Sequence, residues 1–296
     1  MIDGALLVDK PVGMSSNAAL QEAKRLARAK KAGHAGTLDP LASGLLMVLF
    51  GEATKFAGLL LDADKEYLAT LELGRRTSTG DAEGEVLEER PVAVAPAQIE
   101  AALERFRGAI EQVPPMHSAL KHGGVPLYKL ARKGKTVERA SRRVQIYELV
   151  SLGYEAPRLA LRVRCSKGTY IRTLAEDIGA ALGTGAHLAA LRRSRSGDFR
   201  VEDALTVDEL RAQPRERWPL LPLGTLLAGF PATRLDAAAE ARLRNGQALK
   251  ISGLQEGLCA LYGADGAVIG LGRSHPEGIV KPVRLTQAAE KPRKTL

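Results

Sequence analysis

The chain has only two cysteines, Cys165 and Cys259, far apart and in no Cys-x-x-Cys pair. This excludes a disulfide framework and argues against a structural zinc site. The five histidines (34, 117, 122, 187 and 275) show no metal-ligand spacing, and His-Glu-x-x-His is absent. No Gly-x-Ser-x-Gly elbow marks a serine hydrolase, and no internal repeat is present. The strongest apolar run, Leu45 to Phe50, is far too short to span a bilayer, and the N-terminus carries Asp3 rather than a basic n-region. The expectation is a cytoplasmic protein in a reducing compartment, with no membrane association.

What is present points to a polyanion. Lysine and arginine number 43 against 34 aspartates and glutamates, a net charge of +9, and 45% of the chain is hydrophobic. A core of ordinary size with a basic surplus suits phosphate contacts, which gain affinity by releasing counterions. At 296 residues the chain is long for one domain.

Residues 5–8 read as a strand ending in the turn Lys10–Gly13. Ser15 or Ser16 can cap a helix with Ala19, Leu20, Ala23, Leu26 and Ala27 on one face. Lys24, Arg25, Arg28, Lys30 and Lys31 crowd its end, either complementing the helix dipole or forming a basic rim beside Gly33–Gly36. Alternation predicts half-buried strands at 66–73 and 159–165, and 3.6-residue periodicity predicts helices over 96–107 and from Thr169. Strands and helices without regular βαβ repetition indicate an α+β fold with a mixed, largely antiparallel central sheet flanked by helices and loops. The expected domains are 1–212, a proline-rich linker at 213–231 and a small, mostly β module at 232–286. A basic tail follows at 287–296.

Gly33–Gly44 packs three glycines and Pro40 into twelve residues, an irregular and tightly turned loop. No Gly-Lys-Ser/Thr follows these glycines, so it is not a P-loop. Asp39, held extended by Pro40, fits either a helix N-cap or a site carboxylate. Arg172 falls in the first turn of its helix, where a cation opposes the dipole. It is either a flexible surface arginine or the partner of a carboxylate. Residues 121–143 hold eight cations against one acid, Glu138. With Tyr128 available for stacking, this suits either a solvated face or an RNA clamp using Lys121, Lys129, Arg132, Lys133, Arg142 and Arg143. Arg192, Arg193, Arg195 and Arg200 form a second basic cluster.

Six segments in order resemble the TruB-type tRNA pseudouridine synthases. They are Gly4–Pro11; Gly33–Gly44 continuing through Gly51–Lys55; Lys65-Glu66-Tyr67; Pro114–Lys121 with Leu127-Tyr128; Lys167–Arg172; and Leu188–Arg193. Ser15 and His117 depart from the threonine and tyrosine common there, and neither is a catalytic position. The resemblance implies the pseudouridine synthase fold with a barrel-like C-terminal PUA module. It further implies isomerisation of uridine to pseudouridine at position 55 of the tRNA T-loop, without cofactor or metal. By the same resemblance Asp39 is the essential carboxylate, and Arg172 lowers its pKa and fixes its direction. Tyr67 stacks on the base, and Tyr170 and Leu191 line the pocket. His34 fills the place of flipped nucleotides, and Lys10, Gly36, Leu38 and Lys65 complete the substrate site. Arg192 and Arg193 join the RNA contacts. The expected partner is the tRNA T-arm, met by a monomer needing no protein partner. Two other readings remain: a tRNA-binding or tRNA-folding protein, and a guide-dependent relative acting on other RNAs.

Overall fold

The computed structural model describes residues 2–118, 120–131 and 133–287. Arg132 and the tail from 288 onward lie outside the described residues.

A ten-stranded mixed sheet organises the first 206 residues. Its main strands are β1 (Gly4–Lys10), β2 (Ala32–Ala35), β3 (Ala42–Phe50), β4 (Lys65–Leu73), β5 (Gly108–Gln112), β6 (Arg142–Glu155), β7 (Arg158–Cys165) and β8 (Ala186–Ser196). The spatial order is Leu205–Thr206, β1, β3, β8, β4, β7, β6, β5, with β2 attached to β3. Most pairings are antiparallel. The two parallel ones are β3 with β8 and β1 with Leu205–Thr206.

The apolar run that is too short for a membrane is β3, buried on both faces. Leu46, Val48 and Phe50 pack with helix α1 (Ser16–Leu26), while Leu45, Met47 and Leu49 enter a second cluster on the other side. A strand covered on both faces needs no polar alternation. On β4, Ala69 and Leu71 face a core shared with Leu159, Leu161 and Val163 of β7 and with helices α2 (Pro96–Glu104) and α3 (Ile171–Ala181). Each such leucine contributes about 1.5–3 kcal/mol of burial.

The proline-rich stretch is packed rather than slack. Leu221 and Ala5 exchange backbone hydrogen bonds of 2.8 and 2.9 Å, and Trp218 is buried in the α1 cluster. Beyond it stands a separate five-stranded sheet in the order Ala232–Leu235, Gly257–Gly263, Val268–His275, Ile279–Leu285, Leu249–Lys250. It rests on the larger sheet through Phe56 and Leu227, buried against Ala260 and Leu271. Glu52 Oε2 bolts the junction, accepting from Lys55 Nζ at 2.8 Å and from the Gln287 backbone N–H at 2.6 Å. Among the described residues no helix is long and apolar enough to cross a membrane.

Candidate active site

The loop joining β2 to β3 carries Asp39. No helix begins at Pro40; the chain turns directly into β3, so Asp39 is not an N-cap. The buried Ser16 side chain at the start of α1 pins the loop from below, accepting from Leu38 N–H at 2.7 Å and donating to Leu38 C=O at 2.9 Å. Gly13 N–H donates to Pro40 C=O at 2.8 Å. Two glycines let the loop close over β8. Gly44 (φ +101°) lies where a Cβ would come within 2.3 Å of the Arg193 carbonyl oxygen, and Gly36 (φ +87°) packs against the Arg193 guanidinium.

Arg172 reaches Asp39 from the first turn of α3. Its Nη2 stands 3.0 Å from Asp39 Oδ2 and its Nη1 3.5 Å from Asp81 Oδ2. Nη1 also donates to Thr79 C=O at 3.2 Å, and Nη2 to His117 C=O at 2.6 Å. The arginine side chain is 6% exposed and the Asp39 side chain 42%, so the cation is structural while the carboxylate remains reachable. Sequence reasoning missed Asp81, which is buried and held by Thr79 Oγ1 at 2.5 Å and Glu83 N–H at 3.1 Å.

The expected lowering of the Asp39 pKa is reversed. Burial raises its carboxyl above the ordinary 3.8, and Asp81 adds to the rise; Arg172, Lys10 and His117 oppose it without cancelling it. Desolvation is the largest influence on the carboxyl, and the Arg172 charge the next, in the opposite direction.

Asp39 sits between two adjoining cavities of about 480 and 330 Å³, both lined by Leu38, Asp39, His117 and Arg172. The larger is also bounded by His34 and Tyr128. Gly36, Lys65, Tyr67, Tyr170 and Leu191 line the smaller one. Burial pushes the Tyr67 phenol above its ordinary value, keeping it protonated. His34 is pushed below its usual value by burial and then by Arg193. Lys65 bonds the Leu61 and Ala63 carbonyls at 2.6 and 2.5 Å, and burial lowers its pKa to about 8. Arg142 lies over the Tyr170 ring, 4.8 Å from its centroid, and donates to Gly168 C=O at 2.5 Å.

Two expectations are corrected. Lys10 is fully buried, its Nζ donating to Pro11 and Met14 carbonyls at 2.8 and 2.6 Å, so it supports the loop and does not touch substrate. Arg193 is 2% exposed and cannot meet RNA. Its Nε donates to Leu45 C=O at 2.7 Å and its Nη2 to Gly36 C=O at 3.0 Å, tying β3 to the loop beneath Asp39. Arg142, part-exposed, lines the smaller cavity, where it keeps its expected place beside the RNA. Arg192 is half-exposed in a two-point pair with Asp9 at 3.0 and 2.7 Å. The remaining clamp residues form a hairpin (Lys121–His122 with Val125–Pro126) and a short helix, Leu127–Ala131. Lys121 and Lys129 are exposed there, Lys133 in the turn that follows, and Arg143 on β6.

Known structures share this fold. A chain in the crystal structure of a Cbf5-Nop10-Gar1 complex superposes with a TM-score of 0.72 at 28% identity, covering 95% of this chain and 83% of that one. A chain of an H/ACA RNP bound to a substrate RNA containing 2'-deoxyuridine gives 0.71 at 26% identity, covering 97% and 85%. The fold is that of the pseudouridine synthases. Family profiles refine this: "TruB family pseudouridylate synthase (N terminal domain)" matches residues 24–171, "tRNA pseudouridylate synthase B C-terminal domain" 172–226, and "Pseudouridine synthase II TruB, C-terminal" 231–286. The tRNA pseudouridine synthase B of Burkholderia mallei (strain NCTC 10247) is 54% identical over 96% of this chain and 97% of its own length. That of Cupriavidus metallidurans is 52% identical over 97% and 95%. The chain belongs to the TruB family of pseudouridylate synthases, enzymes that isomerise uridine in tRNA.

Proposed function

We propose that the target is uridine 55 in the tRNA T-loop and that Asp39 is the carboxylate on which isomerisation depends. The observation that carries this reading is the half-exposed Asp39 carboxylate, held by the buried Arg172 where the two cavities meet. In the reaction the C1′–N1 bond breaks, the uracil turns, and C5 bonds to C1′ while its proton is lost and N1 gains one. Atoms and electrons balance within the nucleotide, so no cofactor is required. Whether Asp39 meets C1′ or C6 or assists elimination, it acts ionised.

The uridine must leave its stack to reach Asp39, at a cost of a few kcal/mol. In this reading it enters the smaller cavity, stacks on Tyr67, and is walled by Tyr170 and Leu191. His34, at the mouth of the larger cavity, fills the space left in the loop. Lys121, Tyr128, Lys129, Lys133 and Arg143 hold the backbone around it. The C-terminal sheet serves as a PUA-like RNA-binding module on the same chain, which works as a monomer in the cytoplasm. Binding could also assist tRNA folding without turnover, since the basic surface extends well beyond the cavity.

Asp39→Asn tests the assignment. Release of tritium from C5-labelled uridine in tRNA should vanish while tRNA affinity stays within a few-fold. Normal release would remove Asp39 from the chemistry.

A further inference from the structure

The end of α1 breaks a conformational rule. Ala27 caps the helix, and Arg28 follows with φ +50°. Arg28 N–H donates to Arg25 C=O and Ala29 N–H to Lys24 C=O, both at 3.1 Å. This is the helix-ending turn that favours glycine, because a Cβ is strained there. Of the described non-glycine residues only Arg28 and Glu277 have positive φ. A strained side chain kept where glycine fits better suggests that the side chain is used.

Its surroundings show how. Arg28, Lys30 and Lys31 are exposed, and among the described residues none of them forms an ion pair or side-chain hydrogen bond. The nearby acids have other hydrogen-bonding partners, Glu216 with Arg215 at 3.0 Å, Asp3 with Glu52 N–H at 2.6 Å, and Glu52 with Lys55 at 2.8 Å, so Arg28 and Lys31 act on Glu216 and Glu52 only as neighbouring charges. Arg28, Lys30 and Arg215 border an open cavity of about 530 Å³. Arg215 is anchored there by donating to Ala27 C=O at 2.9 Å. Gly51 N–H, donating to Lys31 C=O at 3.0 Å, fixes the start of β2. His34 follows three residues later, about 10 Å along an extended chain.

We propose that Arg28, Lys30 and Lys31 form a phosphate-binding ridge for the backbone of the substrate RNA, at the start of the β2 strand that leads to His34. The ridge rests on the tRNA reading above. Its distance from His34 places its contacts within the stem-loop that delivers the uridine, rather than in a remote part of the tRNA.

The test uses the full-length protein with a T-arm stem-loop and with whole tRNA. Neutralising all three residues (Arg28→Gln, Lys30→Gln, Lys31→Gln) should weaken binding of both RNAs about 10-fold at 0.1 M salt. It should also reduce the log–log salt slope by about 2, at 0.7–0.9 per phosphate contact. The single-turnover rate at saturating protein should not change. Arg28→Gly separates contact from folding: the thermal midpoint should rise by about 1–2 °C while affinity falls. Wild-type affinity and slope in both variants would overturn the ridge. Wild-type isomerisation of the same RNAs, run in parallel, tests the tRNA reading separately.

Discussion

Arg172 divides its guanidinium between Asp39 and Asp81, its Nη2 3.0 Å from one carboxylate and its Nη1 3.5 Å from the other. The more distant acid is the buried one, 4% exposed against 42% for Asp39. Asp81 therefore anchors the arginine, and Asp39 is left facing the cavity.

Asp81→Asn should accordingly slow chemistry without weakening RNA binding. A misplaced Arg172 shifts Asp39 by a fraction of an ångström, enough to lower the single-turnover rate about 10–100-fold. Tritium release and filter binding on the same preparations check this, and an equal loss in both would point to a folding defect instead.

With Asp39 in the proposed role, its raised carboxyl should set the acid limb of the pH–rate profile. As pH falls through that raised value Asp39 protonates, so activity should decline at a pH above the ordinary 3.8. Lys10 is among the charges opposing the rise, so Lys10→Met should move the limb further alkaline. A folded-state pKa above the unfolded one contributes stability that is full below the unfolded value and lost as pH rises through the folded value. Asp39→Asn should therefore melt no lower than wild type at pH 7. An acid limb that stays put in Lys10→Met would discount the coupling.

Arg193→Lys addresses the buried arginine. Lysine cannot span Leu45 and Gly36 as a fork, so the floor under Asp39 loosens. A buried charge left poorly bonded should cost about 3–5 kcal/mol, seen as a lower thermal midpoint. The salt dependence of RNA binding should keep its slope; a shallower slope would return Arg193 to the RNA interface.

Lys129→Gln with Lys133→Gln tests the clamp. Each lost phosphate contact should reduce the log–log salt slope by about 0.7–0.9, and an unchanged slope would make 121–143 a solvated face.

Strands β4 and β7 were legible in the sequence because their residues alternate, whereas β5 and β6, also wet on one face, were not read. Leu68 on β4 is 40% exposed beside the buried Ala69 and Leu71, which is the alternation that marks a half-buried strand. Arg172 was legible as a cation at the wrong end of a helix, and the structure gives it the carboxylate partner such a position calls for. Arg193 was not legible. Two irregularities in the pairing of β8 with β4, between Leu188 and Ala190 and between Arg193 and Arg195, disturb the alternation. In a run of arginines nothing then tells which one turns inward. Asp81 was hidden differently: in Gly80-Asp81-Ala82-Glu83-Gly84 it resembles any turn acid, and only burial singles it out.

The junction at Phe56 and Glu52 also bears on how the protein can be cut. Removing the C-terminal sheet would strip the cover from Phe56 and Leu227, now 1% and 0% exposed, at the end of the strand that follows the Asp39 loop. Such a fragment would carry an open greasy face at the end of β3 opposite the Asp39 loop. It would clump before it could serve as a minimal enzyme.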